Sequence, residues 1–434
     1  MNSGRWPWLV GVGVPLLMAA CSGRTRADVT SGGSDETEPS PGATSGAPTG
    51  GGVEAGAPGS AGATTATAGA ATTATAGTTS SGGFGGAGGE LNVTGDGGME
   101  TAGATPGPPS PGPCDIYREA GQPCVAAYST VRRLSSAYTG PLYQVRSGSS
   151  NQNTGSGGQT HDITQTADGF ADAATLASAC AGTICTVSLL YDQSGQGSHL
   201  PVASAGIEAG GPDADQDDFE ASATPTPLTV GGHLVHPLQM GARQAYRLAR
   251  SGDGMPRSNE PQGIYLLADG TNAGVGCCWE FGNGPHNAKT FYDATALFYG
   301  SGVTVAGAGD GPWFMADFHL SLRSSGSEEV VIDPSNPSLG ARFALGFLKT
   351  NASNFLLRVA DASTASALTS ASQGALPRPL YQDGGVLLGV SADNATASSG
   401  TFYEGAIVAG FPADDTELAV LRNIQAAGYG KTGG

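Results

Sequence analysis

Residues 113–434 read as an antiparallel β-sandwich of jelly-roll or lectin-like type with few short helices, preceded by a disordered linker. Three observations predict this. Short apolar runs recur throughout 113–434, separated by Gly, Asn, Asp and Ser clusters, which is the pattern of sheets joined by turns rather than of alternating β-α units. Helical periodicity is scarce. Six of the seven cysteines and most aromatic residues fall in this same stretch, so the part of the chain able to build a core is sharply separated from the part that is not.

The first 21 residues have the order of an export signal: Arg5 supplies a positive start, Trp8 to Leu17 is an apolar run too short to span a bilayer, and Met18-Ala19-Ala20-Cys21 follows. The tetrapeptide resembles a bacterial lipobox. It makes Cys21 the expected lipidated residue, and Ser22 after it lacks the Asp that signals inner-membrane retention. Export with a lipid anchor on the outer membrane or cell surface is the expected location.

From Ser22 to Gly112 the chain is dominated by Gly, Ala, Thr, Ser and Pro with almost no large apolar residues, and ATTATAG is repeated at 63–69 and 71–77. Such a stretch buries too little apolar surface to offset its ordering entropy. As a flexible coil it has a root-mean-square span of about 50 to 60 Å and acts as a tether.

Within 113–434 the strand candidates are Thr186–Tyr191, Gly263–Leu267, Thr290–Tyr292, Pro312–Phe318, Arg342–Phe347, Phe355–Val359, Gly385–Val390 and Thr401–Val408. They are rich in β-branched and aromatic residues and bounded by turn formers. One helix is expected from Asp415 to Ala427, capped by Asp414 or Asp415, with Leu418, Leu421 and Ile424 or Ala427 on one stripe. A second, shorter one is expected within Pro123–Ser135.

The formal net charge is −18, from 19 basic and 37 acidic groups. That balance argues against nucleic acid as a partner, because phosphate binding is driven by Lys and Arg. No Gly-rich loop opens a helix as a nucleotide site requires, and no Gly-x-Ser-x-Gly elbow is present. The His233-x-x-His236 spacing is read as a loop coincidence rather than a metal site, so neither metal nor cofactor is expected.

Six cysteines in an exported domain predict three disulfides, with fifteen connectivities open from counting alone. Cys114 and Cys124 enclose a short segment, and Cys180 and Cys185 a tighter one. If those two pairs form, Cys277 and Cys278 can bond only to each other, through a ring that needs an unusual peptide geometry.

Several motifs then occur in one order: Cys114-Asp-Ile-Tyr, Pro123-Cys-Val-Ala-Ala, Tyr191-Asp-Gln-Ser-Gly-Gln-Gly-Ser-His-Leu200, Cys277-Cys278, Gly309-Asp-Gly-Pro-Trp313 with Met315 and Asp317, Gly400-Thr-Phe-Tyr-Glu-Gly405 and Asp414-Asp-Thr-Glu417. Across essentially all of 113–434 this resembles the catalytic domain of the α-L-arabinofuranosidase B family, glycoside hydrolase family 54. The resemblance implies a β-sandwich, the three local disulfides, and hydrolysis of terminal α-L-arabinofuranosyl groups from plant-type polysaccharide; a monomer is expected. The family's arabinose-binding trefoil has no counterpart in the sequence.

Retaining glycosidases need two carboxyl groups roughly 5 to 5.5 Å apart, one to attack the anomeric carbon and one to protonate the leaving oxygen. By the resemblance, Asp393 in Ser391-Ala-Asp-Asn394 is the acid/base, and Ala392 stands where the family has a Gly lying against the sugar. Asp317 matches a sugar-binding Asp. Cys277–Cys278 matches an apolar platform for the sugar ring, and Trp313 is placed to frame the same cleft. The nucleophile departs from the pattern: His319 stands at the position of the family's Glu, and Leu320 and Ser321 replace polar residues after it. An imidazole does not form the ordinary glycosyl ester. Three expectations follow. Asp317 supplies the missing carboxylate; or His319 is a general base opposite Asp393; or chemistry is lost and a carbohydrate-binding or adhesion protein remains on the same fold.

Overall fold

A computed structural model describes residues 110–205, 216–285, 293–303, 305–318, 322–323, 332–377, 379–380, 382–392, 394 and 396–430. The signal with Cys21, almost all of the tether, the candidate strand Thr290–Tyr292, and His319, Leu320, Ser321 and Asp393 lie outside the described residues.

Two antiparallel sheets form the body of the domain. The larger runs in the order Cys124–Ser129, Gly400–Ala409, Gln262–Ala268, Ala344–Thr350, Asn354–Asp361 and Thr369–Ala375, with Leu238–Met240 also paired to Gly400–Ala409. The smaller runs Leu322–Arg323, Trp313–Asp317, Thr295–Gly300, Glu280–Gly284, Gly385–Leu388 and Tyr246–Leu248. Their facing sides make one core, in which Ile264, Leu266, Leu348, Leu357 and Ile407 of the larger sheet meet Phe281, Leu297, Phe314, Val386 and Leu388 of the smaller. This is the sandwich that the strand pattern predicts.

The other side of the larger sheet is also covered. Tyr265, Leu267, Leu345, Phe347, Tyr403 and Val408 pack there with Tyr117 of helix α1 (Pro113–Glu119) and with Val420, Leu421 and Ile424 of helix α3 (Asp414–Ala426). Burial on both faces removes the apolar-polar alternation, which is why Gln262–Ala268 reads as a continuous apolar run. Helix α2 (Ala173–Ala179) is capped by Asp172, whose carboxylate accepts from Ala174 N at 3.0 Å and Thr175 N at 3.2 Å.

Two expectations about helices are corrected. Cys124–Ser129 is a strand, not part of a helix, and the nearby helix is Pro113–Glu119. Every residue of Cys124–Ser129 is buried, and pairing with Gly400–Ala409 overrides the helical preference of its alanines. At α3 the N-cap is Ala413, with no side-chain cap. Asp414 turns instead to Lys349, Nζ to Oδ1 at 2.8 Å, and to Arg358, which also pairs with Glu417. The Lys349 hydrogen bond leads in holding the Asp414 carboxyl below its ordinary pKa, while burial pushes that of Glu417 up.

Disulfides join Cys114 to Cys124, Cys180 to Cys185 and Cys277 to Cys278. The first ties α1 to the edge strand of the larger sheet.

Candidate active site

Side chains alternate across a strand, so Trp313, Met315 and Asp317 leave the core and point to the outer face of the smaller sheet, while Phe314 and Ala316 enter the core. Register carries this face across the sheet. Asp317 pairs with Ala296 and Leu322, Ala296 with Gly282, Gly282 with Leu387, and Leu387 with Arg247. Beside Asp317 the row is floored by the two smallest side-chain positions available, Ala296 and Gly282. A Cβ on Gly282 would stand 2.3 Å from Thr295 O, so the sheet backbone itself closes the floor there.

The segment that carries Asp393 packs over this floor. Ala392 belongs to one apolar cluster with Ala203, Ala245, Ala294, Ala296, Leu387 and Val390. The Ala392 methyl is fully buried in that cluster. Asn394 follows with φ 67°, a left-handed conformation that Asn tolerates better than most residues. Its amide donates to Ser204 O at 3.1 Å.

Trp313 lies on the same face as Asp317 but is only 6% exposed. It packs with Phe298 and Met315 and donates Nε1–H to Ala308 O at 2.8 Å. It is a supporting wall four residues before Asp317 on the strand.

Two residues that sequence reasoning did not single out stand on this face. Glu280 follows the cystine by two residues, is fully buried, and has a carboxylate oxygen within 4.8 Å of the Cys277 and Cys278 sulfurs. Its flanking Trp279 and Phe281 both enter the core, and that alternation is the sequence signal that would have found it. The sulfurs are bonded to each other, and since thiolate is the metal-binding form of cysteine, the trio does not constitute a thiolate metal site. Arg247, at the far end of the row, is the second.

The other acids in the recognised motifs are committed elsewhere. Asp115 accepts from Gly112 N at 2.8 Å, Ser136 N at 2.7 Å and Ser136 Oγ at 2.9 Å. Asp192 accepts from Ala127 N, Ser194 N and Ser198 N at 3.0, 2.9 and 3.0 Å, which makes Tyr191–Leu200 a scaffold turn. Glu404 pairs with Arg132 on the helix side of the larger sheet. Two cavities also lie away from the acidic row, one of about 620 Å³ beside Arg132, Phe170 and His233, the other of about 490 Å³ beside His161 and Thr175.

The protein is thus of the antiparallel β-sandwich class, with Asp317 and Glu280 on the outer side of its smaller sheet and the Cys277–Cys278 cystine beside Glu280. The chain belongs to the α-L-arabinofuranosidase B catalytic-domain family, whose model matches residues 113–430. It is 38% identical over 333 residues to α-L-arabinofuranosidase B of Aspergillus kawachii, covering 74% of this chain and 64% of the relative. It is 38% identical over 326 residues to an α-L-arabinofuranosidase of Hypocrea jecorina, covering 73% and 63%. Among solved structures, an arabinofuranosidase complexed with arabinofuranosyl-α-1,2-xylobiose superposes with a TM-score of 0.67 at 36% identity, covering 73% of this chain and 65% of that one. A family 54 enzyme soaked with a cyclic sulfate inhibitor gives 0.65 at 35%, with the same coverage. The chain spans 62 to 65% of the length of the curated relatives it matches.

Proposed function

We propose that the chain is an exo-acting glycoside hydrolase that removes terminal α-L-arabinofuranosyl groups from arabinose-bearing plant-type polysaccharide. The observation that carries this is the convergence of two acid-bearing segments on one face: Asp317 pairs with Ala296, and Ala296 shares an apolar cluster with Ala392, the neighbour of Asp393. Glycoside hydrolysis requires two carboxyl groups directed at one cleft, and in this reading Asp393 is the partner of Asp317. Family membership supplies the sugar.

In this reading Asp393 gives its proton to the glycosidic oxygen as the bond to the anomeric carbon breaks, and the bonding electron pair leaves with that oxygen. Asp317 is the second carboxylate. Acting on water, it takes one proton while the water oxygen bonds the anomeric carbon, inverting configuration. Acting directly, it forms an ester that water then cleaves, retaining configuration. The cystine lies beside the row as an apolar platform for the ring. The protein works as a monomer, anchored through a lipid on Cys21, with the tether allowing the domain to search nearby polymer. Three disulfides in the domain accord with an oxidising location.

The test is release of 4-nitrophenol from 4-nitrophenyl α-L-arabinofuranoside by the full chain, with NMR of the first-formed sugar to read its anomeric configuration. Turnover that falls at least about 100-fold in both Asp393→Asn and Asp317→Asn supports the assignment. A second reading, a carbohydrate-binding protein without turnover, is favoured by His319 at the nucleophile position. Arabinoside binding by a chain that hydrolyses nothing would establish it.

A further inference from the structure

Arg247 lies in the edge strand Tyr246–Leu248 of the smaller sheet and is 8% exposed. Among the described residues its guanidinium donates to the following acceptors. Nη1 donates to Ala392 O at 3.2 Å and to Asn394 Oδ1 at 3.3 Å, and Nη2 donates to Pro285 O at 3.2 Å. The two residues held by Nη1 are those immediately before and after Asp393. The same short turn is closed by Asn394 N donating to Ser391 O at 3.0 Å. Through Leu387 and Gly282 the register places Arg247 on the same row of the sheet as Asp317.

We propose that Arg247 is the positioning residue for Asp393: it holds the Ala392 carbonyl before the acid and the Asn394 side chain after it, and so sets where the carboxyl stands relative to Asp317. The proposal rests on the hydrolase reading above for its consequence in catalysis, but not for the contacts themselves. A general acid works only when its proton lies within hydrogen-bond reach of the leaving oxygen, and a displacement of about 1 Å costs on the order of 100-fold. Arg is suited to this task, because its planar fork can serve several acceptors in fixed directions at once, whereas Lys presents a point charge.

The need for the acid scales with the basicity of the leaving group, which separates positioning from general loss of structure. In the full chain, Arg247→Gln is expected to slow an alkyl or xylosyl α-L-arabinofuranoside by about 100-fold in kcat with KM little changed, while a 2,4-dinitrophenyl arabinofuranoside slows less than about threefold. Arg247→Lys, which keeps the charge but not the fork, should fall between. Hydrogen exchange of a peptide spanning 391–396 should accelerate at least about tenfold in Arg247→Gln, with protection elsewhere in the smaller sheet unchanged. Equal losses on both substrates, or a loss confined to KM, would overturn the proposal. A wild-type chain that hydrolyses neither substrate would sink the hydrolase reading alone. The exchange measurement then decides: selective loss of protection at 391–396 upholds the positioning role, and unchanged rates there refute it.

Discussion

Arg132 and Glu404 meet as a two-pronged ion pair inside the protein, Nε donating to Oε2 at 2.6 Å and Nη2 to Oε1 at 2.7 Å. The Tyr429 hydroxyl donates to Oε2 at 2.8 Å, and Asn423 of α3 accepts from Arg132 Nη1 at 3.0 Å. Burial works against the Arg132 charge, but Glu404 outweighs it and holds the guanidinium pKa above its usual value. The motif glutamate of Gly400–Gly405 is therefore a staple between the larger sheet and the helix layer, on the far side of the core from Asp317.

Replacing Glu404 by Gln keeps the shape of that staple but leaves a buried cation facing a neutral group. Breaking a buried pair in this way costs about 3 to 5 kcal/mol, which for a domain of this size lowers the melting temperature by roughly 5 to 7 °C. Turnover per folded molecule should stay at the wild-type level. Calorimetry beside an arabinofuranoside assay checks both halves; an unchanged melting temperature with lost turnover would move Glu404 into the chemistry.

Asp115 predicts a pH dependence. Burial alone would raise its carboxyl pKa, but hydrogen bonds from Gly112 N, Ser136 N and Ser136 Oγ, with Arg118 beside them, bring it below the ordinary value. A carboxyl depressed in the folded state stabilises it in full above the unfolded pKa, and that contribution is lost as pH falls through the folded pKa. Asp115→Asn should therefore be less stable than wild type by about 1 to 2 kcal/mol at pH 7, with the gap closing below about pH 4. Urea unfolding at pH 7 and pH 3 measures it. A gap independent of pH would show that the charge contributes nothing.

The larger pattern of strands is legible in the sequence because each run is local: Gly263–Leu267 and Phe355–Val359 carry their own apolar signal and fall inside observed strands. Cys124–Ser129 was not legible, since two adjacent alanines read as helix until a partner 280 residues or so further on in Gly400–Ala409 captures them. Asp317 was legible through the family resemblance of the motif that begins at Gly309. Arg247 could not, because its acceptors Ala392 and Asn394 lie 145 and 147 residues away, and no local pattern encodes such a contact. Glu280 falls between these cases, visible by alternation but given meaning only by the register with Phe298 and the sulfurs beside it.

Ala392 invites the idea that shortening it to Gly would open the site for sugar. Its methyl is instead packed among Ala203, Ala245, Ala294, Ala296, Leu387 and Val390. Ala392→Gly should therefore cost about 1 kcal/mol of stability, from lost packing and added chain entropy, and leave KM for an arabinofuranoside within about twofold. A KM that falls severalfold would mean that the methyl does meet the ligand.

His319 follows Asp317 by two in the sequence and occupies the place where the family resemblance expects a nucleophilic Glu. If Asp317 carries the second carboxylate alone, the chain operates with an acid placed one strand repeat away from the usual point of attack. His319→Glu would then add a carboxylate that can form the glycosyl ester itself. Turnover of 4-nitrophenyl α-L-arabinofuranoside should rise by about 100-fold or more, with configuration retained and with Asp317→Asn now tolerated far better than in the wild-type background. The opposite result, turnover that falls on the same substitution, would mean that the imidazole is itself the base acting opposite Asp393. Asp317 would then revert to a sugar-binding role, so measuring both single variants and the double variant assigns the second catalytic group to one residue or the other.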